Sequence, residues 1–204
     1  VSDDCAKALE LIGERPIRAA LVIGGTRGIG LALAERLTDL GWDVQAMGRS
    51  AADITNPDDW PKYLGKKWDL IVFCAGKLEP APWDIKSLED YERSYRLHAA
   101  APIALLAKHG ERLLGWWSKV IFVSTVGAVN SGAVDITYGM AKAALEKAVK
   151  ALQENTSWNV TLVRFDLVDT NMIRLLPADT MHGRPILSRE EAAEQIVKAA
   201  RLEE

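Results

Sequence analysis

Apolar residues fall along the chain in short unbroken runs separated by stretches of helical period. Ala19 to Ile23 is one such run, and it empties into Gly24-Gly25-Thr26-Arg27-Gly28-Ile29-Gly30. An apolar run bounded by glycines predicts a buried strand and a tight turn. Leu31, Leu33, Ala34, Leu37 and Leu40 then recur at helical spacing up to Gly41, which suits a helix C-terminus. The pattern next predicts a strand at Asp43–Met47, a very short third strand at Ala52–Ile54, a helix at Pro57–Leu64 opened by proline, and a fourth strand at Asp69–Cys74.

Ser87 is placed to cap a long helix carrying Leu88, Tyr91, Tyr95, Leu97 and Leu105, with a kink expected at Pro102. Lys119–Ser124 reads as a fifth strand. Thr137–Thr156 reads as a helix with Ala141, Ala144, Leu145, Ala148 and Leu152 on one stripe, and Thr161–Phe165 as a sixth strand. An irregular stretch with Pro177, Gly183 and Pro185 leads to a last helix, capped by Ser188 and ending near Leu202. Wholly apolar strands alternating with helices predict an α/β fold: a doubly wound, mainly parallel sheet of six strands or so in three layers.

Size and charge narrow the function. A chain of 204 residues, 49% hydrophobic and 26% charged, suits one soluble globular domain. The formal charge is −3 without blocks of like charge, so no basic stripe is present to neutralise a nucleic-acid backbone. The longest apolar stretch, Ala99 to Ala107, holds a proline and is far shorter than the roughly 20 residues that cross a bilayer. Asp3 and Asp4 stand where a secretory leader would carry positive charge. Cys5 and Cys74 are read as reduced thiols, and the protein as cytoplasmic. His98, His109 and His182 lack the spacing of metal ligands, so no metal is expected.

In the first βα turn of a doubly wound sheet, backbone N–H groups and the positive end of the following helix hold a pyrophosphate. Gly24 permits the tight turn, Gly28 lets the main chain approach phosphate, and Gly30 lets helix and strand pack together. The order G-x3-G-x-G differs from the G-x-G-x-x-G of the commonest dinucleotide fingerprint. Arg49 follows the second strand, where an acid would bind a ribose hydroxyl and an arginine would accept a 2′-phosphate. Arg27 is within reach of the same phosphate. Together they favour NADP(H) over NAD(H), with Asp53 the one residue that argues for NAD.

Tyr138 and Lys142 lie four apart on a predicted helix and so share a face. A free tyrosine, with a pKa of about 10, holds its proton too tightly for transfer at neutral pH, and a nearby ammonium lowers it. Tyr63 and Lys67 repeat the spacing, but at the end of a short helix with no hydroxyl cluster before it. Tyr138 is instead preceded by a strand ending in Ser124-Thr125, at the carboxyl edge where such sheets bind ligands. A hydroxyl of Thr125 or Ser124 and the Tyr138 phenol thus point to polarising and protonating a carbonyl oxygen.

The glycine turn, Asp53-Ile54-Thr55, Ala75-Gly76, Ser124-Thr125 and Tyr138-x-x-x-Lys142 occur in the order and spacing of the short-chain dehydrogenase/reductase family, which the chain resembles from about Ala19 to Met172. The resemblance implies a Rossmann fold and a phosphate turn of Gly24, Thr26, Arg27, Gly28, Ile29 and Gly30. It places Asp53 and Ile54 beside the adenine and Ala75 and Gly76 beside the adenosine ribose. Val168 and Thr170 match the stretch that holds the nicotinamide carboxamide. Tyr138 would be the acid/base, with Lys142 also on the nicotinamide ribose and Thr125 in the place of the catalytic serine.

Three features depart from the family pattern. Phe73-Cys74 replaces the asparagines of Asn-Asn-Ala-Gly, Phe165-Asp166 replaces Pro-Gly, and His98 aligns with the catalytic asparagine that helps to hold a relay water behind the lysine. His98 fits either a relay role or a bonded core histidine. The resemblance further implies a homodimer through the helices from Ser87 and Thr137. A first segment, 1–17, precedes the fold, and 171–187 makes a short lid over a small or open pocket, without the family's seventh strand at the end. The leading function is an NADP-dependent oxidoreductase interconverting a small ketone or aldehyde with its alcohol. An NADP(H)-binding redox sensor or scaffold is the alternative, and an isomerase or dehydratase on the same fold a third.

Overall fold

The computed structural model describes residues 18–129 and 135–201, with the side chain of Trp83 excepted; the first segment, Cys5 and the chain end beyond 201 lie outside them. Five strands form one parallel sheet: β1 (Ala19–Ile23), β2 (Asp43–Met47), β3 (Trp68–Phe73), β4 (Leu114–Thr125) and β5 (Asn159–Phe165). Their order is β2-β1-β3-β4-β5. Successive side chains enter opposite layers. Leu21, Ile23, Ile71, Phe73, Val120 and Phe122 face one layer, while Ala20, Val22, Leu70, Val72, Ile121 and Val123 face the other. Phe73 and Phe122 stack across neighbouring strands at 4.8 Å.

On the second of these faces lie α1 (Gly28–Asp39) and, at the chain end, a helix covering Arg189–Ala199. On the first lie α3 (Ala101–Leu113) and α4 (Ile136–Asn155), with α2 (Leu88–Tyr95) packed against α4. The doubly wound three-layer architecture expected from the sequence is therefore present. Ser87 caps α2 with a reciprocal bond to Asp90, and Ser188 and Glu191 do the same for the last helix.

Two expected elements differ. Ala52–Ile54 is not a strand, because local side chains take the backbone groups a ladder would need. Asp53 Oδ1 accepts from Thr55 N–H, Asp59 accepts from Asp53 N–H, and the Tyr63 hydroxyl donates to the Ala52 carbonyl. Pro57–Tyr63 is a 3₁₀ helix, since Pro61 has no N–H to give the Pro57 carbonyl. The kink expected at Pro102 takes the form of a π turn at Arg96–Ala100 between α2 and α3. The irregular stretch contains α5 (Ala178–Met181) and a small parallel pair, β6 (Leu167–Val168) with β7 (Ile186–Leu187), which makes the last helix α6.

Candidate active site

Because the sheet is parallel, the turns after β1, β2, β3, β4 and β5 leave from one edge, and the sequence-predicted site segments other than His98 follow these strands or, for Tyr138 and Lys142, lie on the helix after β4. At the first turn, Gly24 has φ +87° and a Cβ there would lie 2.4 Å from Ala75 N. A Cβ on Gly30 would lie 2.3 Å from the Gly24 carbonyl oxygen, so α1 packs against the turn only through glycine. Gly28 has φ +55°, and the Thr170 methyl lies 3.3 Å from where its Cβ would be. Thr26 packs against Gly48, while Ile29 lies in the first turn of α1.

Arg27 precedes α1 without a side-chain cap, and the first turn of α1 carries no acid. By contrast α2, α4 and α6 are each capped by a side chain. The first N–H groups of α1 are thus left for an anion. Arg27 and Arg49 are exposed, with no ion pair among the described residues. The Asp53 carboxylate is turned into its own loop, where Oδ1 accepts from Thr55 N–H (2.9 Å) and Oγ1 (2.7 Å). These residues fit a dinucleotide with an additional phosphate. Ile54 and Val168 have side chains in the core, so only their main chains are available to a ligand.

At the other end of the edge, Thr125 Oγ1 accepts from Gly127 N–H at 3.3 Å, which leaves its proton free to be donated. The Ser124 proton is spent on Glu146, at 2.7 Å, and Glu146 is held by Arg164. Of the two hydroxyls, Thr125 is the free donor. Lys142, 4% exposed, donates to the Val123 carbonyl at 2.7 Å and lies 5.8 Å from the centre of the Tyr138 ring. Burial pushes its pKa down to about 8.

The surroundings of Tyr138 oppose the phenolate. Burial, and then the Asp135 carboxylate, push Tyr138 up to about 12. Tyr63 is fully buried with its hydroxyl on the Ala52 carbonyl, so the second Tyr-x-x-x-Lys sequence is a packing feature. Cys74 is free, with its thiol pushed up to about 12 by burial.

His98 lies in the π turn and is 2% exposed. Its Nε2 accepts from Lys77 N–H at 3.0 Å, and Nδ1 lies 2.8 Å from the Ser94 carbonyl. Its ring meets Tyr138 edge-on at 4.9 Å, with Gly76 beside it. Burial and the Lys142 charge hold its pKa down to about 3. Sequence reading missed Asp135, which accepts from the N–H groups of Thr137 and Tyr138 and so caps α4. An aspartate just before an apolar helical stripe is a cap signal that was available.

A parallel, doubly wound sheet with a glycine turn and a tyrosine–lysine helix on one edge defines the Rossmann class. A family model described as the NAD dependent epimerase/dehydratase family matches residues 20–168, and the chain belongs to that family. No curated protein matches the sequence. Among solved structures, a small-chain dehydrogenase in complex with NADPH shares 22% identity, with a TM-score of 0.80 over 91% of each chain. BdcA in complex with NADPH shares 18%, with a TM-score of 0.79 over 90% of this chain and 86% of that one. A short chain dehydrogenase from Burkholderia cenocepacia J2315 in complex with NADP shares 22%, with a TM-score of 0.77 over 91% and 84%. The shared fold agrees with the short-chain dehydrogenase/reductase resemblance of the motifs.

Proposed function

We propose that the protein is an NADP(H)-dependent oxidoreductase that interconverts a small ketone or aldehyde with its alcohol. The observation that carries this reading is an uncapped helix N-terminus, with Arg27 and Arg49 exposed, in a parallel sheet whose β4 ends at Thr125 and is followed by the helix on which Lys142 lies 5.8 Å from the Tyr138 ring. The NADPH-bound structures of the same fold support the choice of cofactor. The first N–H groups of α1 would hold the pyrophosphate, and the two arginines the 2′-phosphate. When bound there, NADPH would be the source of the hydride that reduces the carbonyl carbon.

Thr125 donates a hydrogen bond to the carbonyl oxygen, and Tyr138 gives that oxygen its phenolic proton. The phenolate left behind faces the Lys142 ammonium and takes its proton back from water. In this reading the fold is a single domain, 171–187 is a short lid over a small substrate, and two copies associate through α2 and α4 in the cytoplasm. Replacing Tyr138 with Phe should abolish turnover and leave NADPH binding, followed by tryptophan fluorescence, unchanged. Tight NADPH binding with no turnover of any carbonyl would instead favour the redox-sensor reading.

A further inference from the structure

We propose that His98 and Asp135 are positioning residues for Tyr138, joined in one closed hydrogen-bond circuit, and that His98 carries no proton in the reaction. The inference rests on Tyr138 being the acid. Because the Lys77 N–H donates to Nε2, the ring proton is on Nδ1 and is donated to the Ser94 carbonyl. The Ser94 hydroxyl donates to the Thr137 carbonyl at 3.1 Å, and the Thr137 hydroxyl donates to Asp135 Oδ1 at 2.7 Å. Asp135 Oδ2 accepts from Glu79 N–H at 2.9 Å, two residues from Lys77, and the circuit closes.

Lys86 reinforces it from inside the protein, with Nζ 3.5 Å from Asp135 Oδ1 and bonded to the Glu79 carbonyl. Three segments distant in sequence are thereby fastened together: the loop after β3, the π turn and the start of α4. Tyr138 sits inside the clasp, its N–H on Asp135 at 3.4 Å and its ring against His98. A proton carrier needs a ring nitrogen open to exchange, and both nitrogens of His98 are occupied by backbone groups. The charged and titratable groups around the ring agree with this: Lys142 opposes its protonation, Asp135 favours it more weakly, and Tyr138 is held neutral.

The test is a double-mutant cycle in kcat with NADPH and a reducible carbonyl. His98→Phe keeps a ring against Tyr138 and removes both nitrogens. Asp135→Asn keeps an oxygen for the helix cap but turns an amide N–H toward Glu79 N–H. Each is expected to lower kcat about 10- to 100-fold through misplacement of Tyr138, with the KM for NADPH unchanged. Because the circuit acts as a unit, the double variant should lose no more than the worse single.

Losses that multiply would overturn the circuit. An inflection in the kcat profile near neutral pH that disappears in His98→Phe would overturn the claim that His98 carries no proton. Ser94→Ala breaks the link to Thr137 and touches neither ring nor cap, so it takes the place of either variant that fails to fold. Full turnover in Tyr138→Phe removes the parent reading and the inference with it. Multiplying losses in an enzyme that still needs Tyr138 remove the circuit alone.

Discussion

At the scale of single residues, the site is organised by where each proton is held. Tyr138, pushed up to about 12, keeps its proton throughout the neutral range. Reduction, which starts from the phenol and leaves a phenolate facing the Lys142 ammonium, should therefore have a flat kcat profile between about pH 6 and 7 and fall above about 8 as Lys142 loses its charge, while alcohol oxidation, which starts from the phenolate, should rise with pH from about 6 to 8. Steady-state rates in both directions check this. His98 gives a second sign. Its folded pKa of about 3 lies below the ordinary histidine value of 6.5, so its contribution to stability is complete above 6.5 and is lost as pH falls toward 3. The slope attributable to it is at most about 1.4 kcal/mol per pH unit, and His98→Phe should remove it from urea unfolding measured at pH values across that window.

Arg49 bears on cofactor choice. Arg49→Ala should raise the KM for NADPH about 10-fold, the scale of one charge-assisted bond, and leave that for NADH unchanged. An equal rise for both would show that the arginine does not read the 2′-phosphate. The sequence made the nature of these groups legible but not their states. That Ser124 is spent on Glu146 while Thr125 is free depends on a residue of α4 and on Arg164 of β5. Whether His98 is a relay or a fixed ring depends on backbone groups at Lys77 and Ser94, and no side-chain pattern announces them.

At the scale of elements, glycine decides how closely strand and helix approach. Gly30→Ala would place a Cβ 2.3 Å from the Gly24 carbonyl, a backbone atom that cannot turn aside. A loss of about 1–3 kcal/mol in denaturant unfolding, the usual cost of overpacking, should accompany weaker NADPH binding. The strand, turn and helix from Ala19 to Asp39 were readable because the apolar run, the glycines and the helical stripe all point the same way. The third strand was misread because a segment of three residues, with only Ala52 and Ile54 apolar, cannot outweigh the side-chain bonds of Asp53, Asp59 and Tyr63. The π turn announced itself only through Pro102, and its role in presenting His98 to Tyr138 is a matter of tertiary packing.

At the scale of the whole molecule, helices cover both faces of the sheet and leave its carboxyl edge open, and α2 and α4 carry exposed apolar side chains. Leu88 and Met140 are exposed there, at 69% and 56%. In the proposed homodimer Met140→Lys should shift the sedimenting species to monomer, while an unchanged mass would place the interface elsewhere. In the proposed reaction Tyr138 is the acid of an NADPH-dependent carbonyl reduction. That role is tested most directly by following NADPH absorbance with a panel of small ketones, aldehydes and quinones, for the native protein and Tyr138→Phe side by side. The expected result is turnover that falls at least about 100-fold in the variant while both proteins bind NADPH equally. Equal turnover by the two proteins would contradict it.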